Sequence, residues 1–446
     1  MASASRAQFS SRMGFILAAA GSAVGLGNIW GFPTQAASNG GGAFLLVYIL
    51  MVVVLAYPLL VAELTIGRYG QANPIRSLQA ILPDAAKNIG SVLAMVGLIA
   101  ASCILSFYAI LAGWLVGFFV SPLLVMLGMD NVAVWLETFS VGRNLLLMAA
   151  FMLATIYVVK NGVAEGIERW SSRLMPVLVL LFVILIGYIF TQEGASDGLH
   201  LFLVPDFSQI DASLIHSAMG QAFFSLSLGV CTMMVYGSYL KKEANLPKTA
   251  AQVAMIDTGI AIVAGLLVLP AMFVAQKNGV EIYNESGQLA SSGTLVFDVL
   301  PATFETMGNA GYVVSVIFFA LMVIAALTSS ISLLEVPVAA AVEELGQTRK
   351  VASWIIGLAI SVLSVLIIFN FGSLFDLIVV AATEYAQPIL GLVFALLVGW
   401  VWHRDKVLAE LREGNPHIAQ GLFWRVWPAY VRIVCPLLML YVFFAK

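Results

Sequence analysis

Long apolar runs broken by short polar joints repeat along the whole chain. A helix needs about 20 mostly apolar residues to cross a bilayer. Eleven runs meet that need, over approximately Met13–Ala36, Ala43–Ile66, Ile89–Leu124, Leu145–Val159, Leu174–Phe190, Leu214–Leu240, Val253–Gln276, Gly311–Ala341, Trp354–Phe369, Leu374–Trp402 and Val426–Phe444. The pattern predicts an all-α polytopic protein, one transmembrane domain over residues 1–446, with no room for a separate soluble domain. Two joints are longer, Gln192–Asp211 and Lys277–Asn309. The second reads as a short helix over Leu295–Met307 between Gly-rich and Asn-rich flanks, a candidate lid.

Composition agrees with a lipid environment. Of 446 residues, 61% are hydrophobic and only 10% charged, more apolar surface than a soluble globule can hide. The net charge of -3 contains no basic block, so nucleic acid is excluded as a partner. Most Lys and Arg residues, among them Arg6, Arg12, Arg68, Arg76, Lys160, Arg169, Lys241, Lys242, Arg349, Lys350, Arg404 and Arg412, fall on one side of the alternating spans. The positive-inside rule makes that side, and the N-terminus, cytoplasmic. An odd number of spans then leaves the C-terminus outside. A cleaved signal peptide is rejected for span one, whose apolar region is too long and contains Asn28 and Pro33. Cys103, Cys231 and Cys435 all lie in apolar runs. They read as small buried residues, imply no disulfide framework, and favour a bacterial inner membrane.

Two spans are poor material for continuous helices. Span one carries Gly21, Gly25, Gly27, Gly31, Asn28 and Pro33, and span six carries Gly220, Gln221, Ser225, Ser227 and Gly229. Such glycines either pack neighbouring helices closely or mark unwound backbone, which hydrocarbon tolerates only where protein, ions or water satisfy the freed groups. Two broken spans, five apart, fit a plan in which residues 12–190 repeat as 214–402 in inverted topology, with residues 426–444 as an extra helix. Half-helix N-termini would then attract a carboxylate, and freed carbonyls a cation. Span eight adds Thr328, Ser329, Ser330 and Ser332. These hydroxyls either bond back to the preceding turn or serve as hard neutral ligands for sodium.

The runs Gly21-Ser-Ala-Val-Gly-Leu-Gly-Asn-Ile-Trp-Gly-Phe-Pro33, Asn39-Gly-Gly-Gly-Ala-Phe44, Gly67-Arg-Tyr-Gly70, Phe224-Ser-Leu-Ser-Leu-Gly229 and Leu327-Thr-Ser-Ser-Ile331 closely resemble the neurotransmitter:sodium symporter family, in its bacterial, leucine-transporter-like branch. The resemblance implies a five-plus-five inverted repeat with helices 1 and 6 broken, and two Na+ sites. One would use the carbonyl of Ala23, the side chains of Asn28, Ser225 and Asp257, and the substrate's own carboxylate. The other would use carbonyls of Gly21, Val24 and Ala325 with the Thr328 and Ser329 hydroxyls. The substrate carboxylate would meet the amides of Leu26 and Gly27 and the Tyr108 hydroxyl. Its ammonium would meet carbonyls of Ala23, Phe224 and Ser225 and the Ser227 hydroxyl. Ser22, Ile104, Phe224, Val230 and Leu333, with Ser329, would line the side-chain pocket. Monoamine carriers resemble one another in having Asp where this chain has Gly25, so an amino acid is expected, apolar or aromatic in side chain.

The same resemblance suggests that Asp257 stands in for the chloride many animal members need, and that chloride is not required. Glu63 and Glu335 are expected to bond backbone or water in the cytoplasmic half, and Glu384 has no role in the family pattern. Departures are as informative. Gly31 replaces the usual Arg of the outer gate and Ile378 its acidic partner, with Asp376 two residues earlier as a substitute. Losing both charges is self-consistent, whereas losing one would strand the other. Outer closure would fall to Phe224 and Tyr108, with Trp30 nearby. Arg6 with Glu343 or Glu344, beside Phe9 and Tyr239, resembles the cytoplasmic latch. The expectation is a sodium-coupled amino-acid symporter working by alternating access, with the bilayer, sodium and a small amino acid as its partners. A ligand sensor on the same scaffold is the alternative. A membrane enzyme is disfavoured, because His200, His216, His403 and His417 form no motif.

Overall fold

The computed structural model describes residues 7–283, 289, 296–297 and 299–444. Among them, nine helices are long and apolar enough to cross a membrane: Gly42–Gly70, Asp84–Met126, Val141–Val159, Val163–Ile189, Leu246–Lys277, Ala310–Glu344, Arg349–Phe369, Phe371–Val401 and Leu422–Tyr441. A tenth crossing is the pair Arg12–Ala23 and Gly27–Ser38, bent by 56° at its break. The predicted run Leu214–Leu240 folds as two short helices, Ala212–Ser225 and Thr232–Ser238, each below the length of a crossing. The protein is an all-helical, multi-pass membrane protein with span one broken as expected.

Local chemistry sets where the helices begin. Ser11, Asn73, Asn245 and Thr348 each accept an amide hydrogen bond from the first turn, satisfying donors that a helix start leaves free. Close contacts between spans need residues without side chains. A Cβ on Gly67 would lie 1.9 Å from the Met234 carbonyl, and one on Gly237 would lie 2.6 Å from that of Leu64. This reciprocal pair lets span two pack backbone to backbone against the second half of span six. Outside, Val53, Ile89, Val183, Val362 and Leu437 are exposed, an apolar skin suited to lipid tails.

Several boundaries differ from those expected. Span five starts at Val163 rather than Leu174, opening with the π turn Val163–Glu168. Its first turns carry Glu165, Glu168, Arg169 and Arg173, which end an apolar run without ending a helix. The joint Gln192–Asp211 holds the helix Ala195–Leu203, seated on span seven where Gly198 approaches the Leu269 carbonyl. The expected lid helix is Val299–Thr306, and Leu295 lies outside the described residues. The last span begins at Leu422, a turn before Val426.

Candidate functional site

Span one leaves the helix at Val24, which is extended, and re-enters through the π turn Gly27–Gly31. Two side chains satisfy the freed amides. Gly25 N donates to Asn28 Oδ1 at 3.1 Å, and Leu26 N to Tyr108 Oη at 3.2 Å. In span six, residues 226–231 lie outside any helix. Ser227, Gly229 and Cys231 adopt φ of 51°, 78° and 63°. Gly229 N donates to Glu63 Oε1 at 2.7 Å, and a Cβ on Gly229 would lie 2.1 Å from the Gln387 carbonyl. Ser227 Oγ donates to the Ser22 carbonyl at 3.3 Å, and Gln221 Nε2 to the Gly27 carbonyl at 2.7 Å. The two breaks are thereby laced together.

Beside them, three buried side chains from spans one, six and seven converge. Asn28 Nδ2 lies 2.9 Å from Ser225 Oγ and 2.7 Å from Asp257 Oδ1. Ser225 Oγ is within 3.0 Å of both Asp257 carboxylate oxygens. The hydrogen bonds to this carboxylate come from an amide and a hydroxyl, neutral groups, although a fully buried charge needs compensation. A small hard cation on the Ser225 and Asp257 oxygens would supply it, with Asn28 turning toward it the amide oxygen that here accepts from Gly25 N. The second expected ion set is looser. Thr328 Oγ1 bonds back to the carbonyls of Ile324 and Ala325, at 3.2 and 3.0 Å. Gly21 does face Thr328, since a Cβ there would lie 3.3 Å from that of Thr328. Val24 is buried nearby in sequence, without a hydrogen bond that draws it into this set.

A cavity of about 30 Å³ opens between the breaks, lined by Ala23, Leu26, Gly27, Ile104, Tyr108, Phe224, Ser225, Ser227, Val230, Ser329 and Leu333, with Gly25 and Gln387 besides. Ser22 is not in its wall: the side chain is fully buried, and the residue contributes only its carbonyl to Ser227. Gly25 is closely faced by side-chain ends, because a Cβ would lie 2.8 Å from Tyr108 Oη and 3.1 Å from Ser329 Oγ. Gln387 of span ten was not anticipated. Its amide oxygen is buried without a partner, and its position amid Thr383, Glu384 and Tyr385 in an apolar span is the sequence signal that marks it. A second cavity of about 600 Å³ is lined by Gln35, His216, Gln221, Glu384 and Tyr385 among others, and Phe224 and Gln387 line both. Phe224 and Gln387 therefore form the partition between them.

Around the gates the arrangement differs from that expected. Next to Gly31 stands Gln221, whose Oε1 would be 3.3 Å from an added Cβ, while Trp30 packs edge-on against Phe297. At the opposite end, Phe9 is buried against Phe15, Tyr236 and Tyr239, and its amide donates to the Tyr239 carbonyl. Arg6 lies outside the described residues. Glu343 and Glu344 bind Asn73 and Arg76, the latter at 2.7 Å. A further unanticipated contact is Glu168, which accepts from Ser10 N at 2.7 Å and Ser10 Oγ at 2.6 Å. Glu63 bonds backbone as expected. Glu335 does not: it takes the Tyr239 hydroxyl and the Arg349 guanidinium, because both donors come from neighbouring elements that a single span's sequence cannot display.

Paired helix breaks beside a buried Asn28, Ser225 and Asp257 cluster and a small cavity are the architecture of a secondary transporter. The chain belongs to the sodium:neurotransmitter symporter family, whose sequence profile matches residues 6–140 and 137–446. It is 35% identical over 456 residues to the uncharacterized sodium-dependent transporter YhdH of Bacillus subtilis, covering 98% of this chain and 96% of that one. An uncharacterized sodium-dependent transporter of Haemophilus influenzae is 32% identical, covering 99% and 98%. The crystal structure of MhsT in complex with L-phenylalanine superposes with a TM-score of 0.84, at 36% identity and 99% coverage of both chains. The protein is thus a sodium-dependent transporter.

Proposed function

We propose that the protein is a sodium-coupled amino-acid symporter working by alternating access around the cavity between the two breaks. The convergence of Asn28, Ser225 and Asp257 beside that cavity carries the reading. Sodium is bound there by Asn28, Ser225, Asp257 and the Ala23 carbonyl, and the substrate carboxylate completes the shell. Each ligand then stabilises the other's site, and the coupling is necessarily reciprocal. A second sodium sits between the carbonyls of Gly21, Val24 and Ala325 and the hydroxyls of Thr328 and Ser329. The carboxylate rests on Leu26, Gly27 and Tyr108, and the ammonium on the carbonyls of Ala23, Phe224 and Ser225 and on Ser227. Gly25, hemmed in by Tyr108 and Ser329, leaves the negative charge to the substrate, which favours amino acids over amines. The walls Ile104, Phe224, Val230 and Leu333 favour an apolar or aromatic side chain, and L-phenylalanine bound to MhsT supports that class. Residues 12–190 and 214–402 act as inverted repeats, with the N-terminus in the cytoplasm of a bacterial cell and the C-terminus outside.

Uptake into proteoliposomes under an inward sodium gradient, with potassium as the control, tests this across the common amino acids. Sodium-driven accumulation of apolar or aromatic members, abolished by Asn28→Ala and by Thr328→Ala, is the expected result. Binding without accumulation would refute symport.

A further inference from the structure

A cavity of about 690 Å³ lies away from the transport path, where the end of helix Phe371–Val401 meets the start of helix Leu422–Tyr441. Both helices loosen into π turns at that crossing, Leu397–Val401 and Tyr430–Val434, and such turns gather at functional sites. Gly399 allows the approach, since a Cβ there would lie 2.7 Å from Arg432 Cα.

The polar lining is one-sided. Arg404, Arg425, Arg432 and His403 face the cavity, and no Asp or Glu does. The nearby acid, Asp405, stands outside the lining, 3.6 Å from His403 Nδ1. Arg432 falls inside a span, where a charge calls for a functional reason. Its guanidinium lies 4.0 Å above the Trp400 ring, held there by Trp400 Nε1 donating to the Arg432 carbonyl at 2.8 Å. Arg404 lies 5.3 Å above Trp424 in the same way. A belt of Trp and Arg is ordinary at a membrane interface, but here three arginines line one chamber between two spans, and no Asp or Glu stands in its lining among the described residues.

We propose that this chamber binds the phosphate headgroup of an anionic phospholipid. Arg432, Arg404 and Arg425 supply the charge and donors, and basic pockets between spans are suited to such headgroups. The rim favours a lipid over a soluble anion: Trp400, Val401 and Ile433 are exposed and apolar, so acyl chains would run over them into the bilayer.

The delipidated full chain in neutral detergent, titrated with phosphatidylglycerol, phosphatidylcholine or inorganic phosphate and read by native mass spectrometry, tests this. One phosphatidylglycerol is expected to bind at least about tenfold more tightly than phosphatidylcholine. Arg432→Gln should weaken it about five- to tenfold, as expected for one cation at the membrane surface. Arg404→Gln, at an exposed position of the same lining, should weaken it to a similar degree and decides the matter if Arg432→Gln fails to fold. Equal retention of both lipids, unchanged affinity in both Arg432→Gln and Arg404→Gln, or inorganic phosphate saturating as tightly as the lipid would each overturn the proposal.

Discussion

The two helix breaks solve one problem in opposite ways. In span one the break is short, its residues keep ordinary negative φ, and its amides are met from close by: Gly25 by Asn28 three residues on, Leu26 by Tyr108. Span six unwinds over residues 226–231, places Ser227 and Cys231 as well as Gly229 in the left-handed region, and is held by a carboxylate from span two. Each non-glycine residue held there costs about 1–2 kcal/mol, so the second break persists only because its surroundings impose it. One break is a relaxed cradle, and the other is a strained loop under restraint. Substitutions in the two should accordingly differ in what they damage.

The sharpest contrast is between Gly229→Ala and Gly25→Ala. At Gly229 a methyl group meets a backbone carbonyl at 2.1 Å with φ at 78°, and neither can yield. Overpacking and a forced left-handed Ala together cost about 2–5 kcal/mol, so the thermal transition of the purified protein should fall sharply. At Gly25 the obstacles are the Tyr108 hydroxyl and the Ser329 side chain, ends that can shift. Gly25→Ala is expected to leave stability nearly unchanged while weakening substrate affinity about tenfold, roughly 1.4 kcal/mol. Equal losses of stability in both would erase the distinction between cradle and loop.

The places where the helices break were legible from the sequence, because glycines with Asn28, or with Gln221 and Ser225, interrupt apolar runs that otherwise read as helix. What restrains the breaks was not. Glu63 and Gly229 are 166 residues apart, and a donor that is merely a backbone amide leaves no trace in side-chain identity. Gln387 likewise hid in a span whose hydropathy is high. Asn28, Ser225 and Asp257 were associated through family resemblance rather than through spacing, and only the packing of spans one, six and seven sets them within 3 Å of one another. The helix Ala195–Leu203 was overlooked because nine residues with Gly198 inside look like a loop until span seven gives them a surface to pack on.

Next in size is Glu63→Ala. It leaves the Gly229 amide buried without an acceptor, a penalty of about 1–3 kcal/mol. Uptake should drop about tenfold or more, and hydrogen exchange at residues 226–231 should quicken while that at residues 24–26 stays as it was. Exchange quickening in both segments would show that the breaks share one restraint. Tyr108→Phe is the smaller counterpart in span one. Leu26 loses one neutral hydrogen bond, worth about 1 kcal/mol, and the substrate carboxylate loses a donor. Affinity measured by substrate protection should fall about fivefold, with the exchange of span six unaltered.

The smallest expected effect is none at all. Replacing chloride by gluconate on both sides of the membrane should leave sodium-driven uptake unchanged. The reasoning starts from Asp257, a buried carboxylate whose donors are Asn28 and Ser225 and which belongs to the sodium site proposed where both breaks meet. With sodium bound as proposed, a fixed negative charge in that position would already offset it, and a second anion beside it would be repelled at short range in a medium where charges are poorly screened. Uptake that declined as chloride was withdrawn would mean that Asp257 is neutralised from elsewhere. The cluster joining the two breaks would then be a structural clamp, and the cation would have to be sought nearer Thr328.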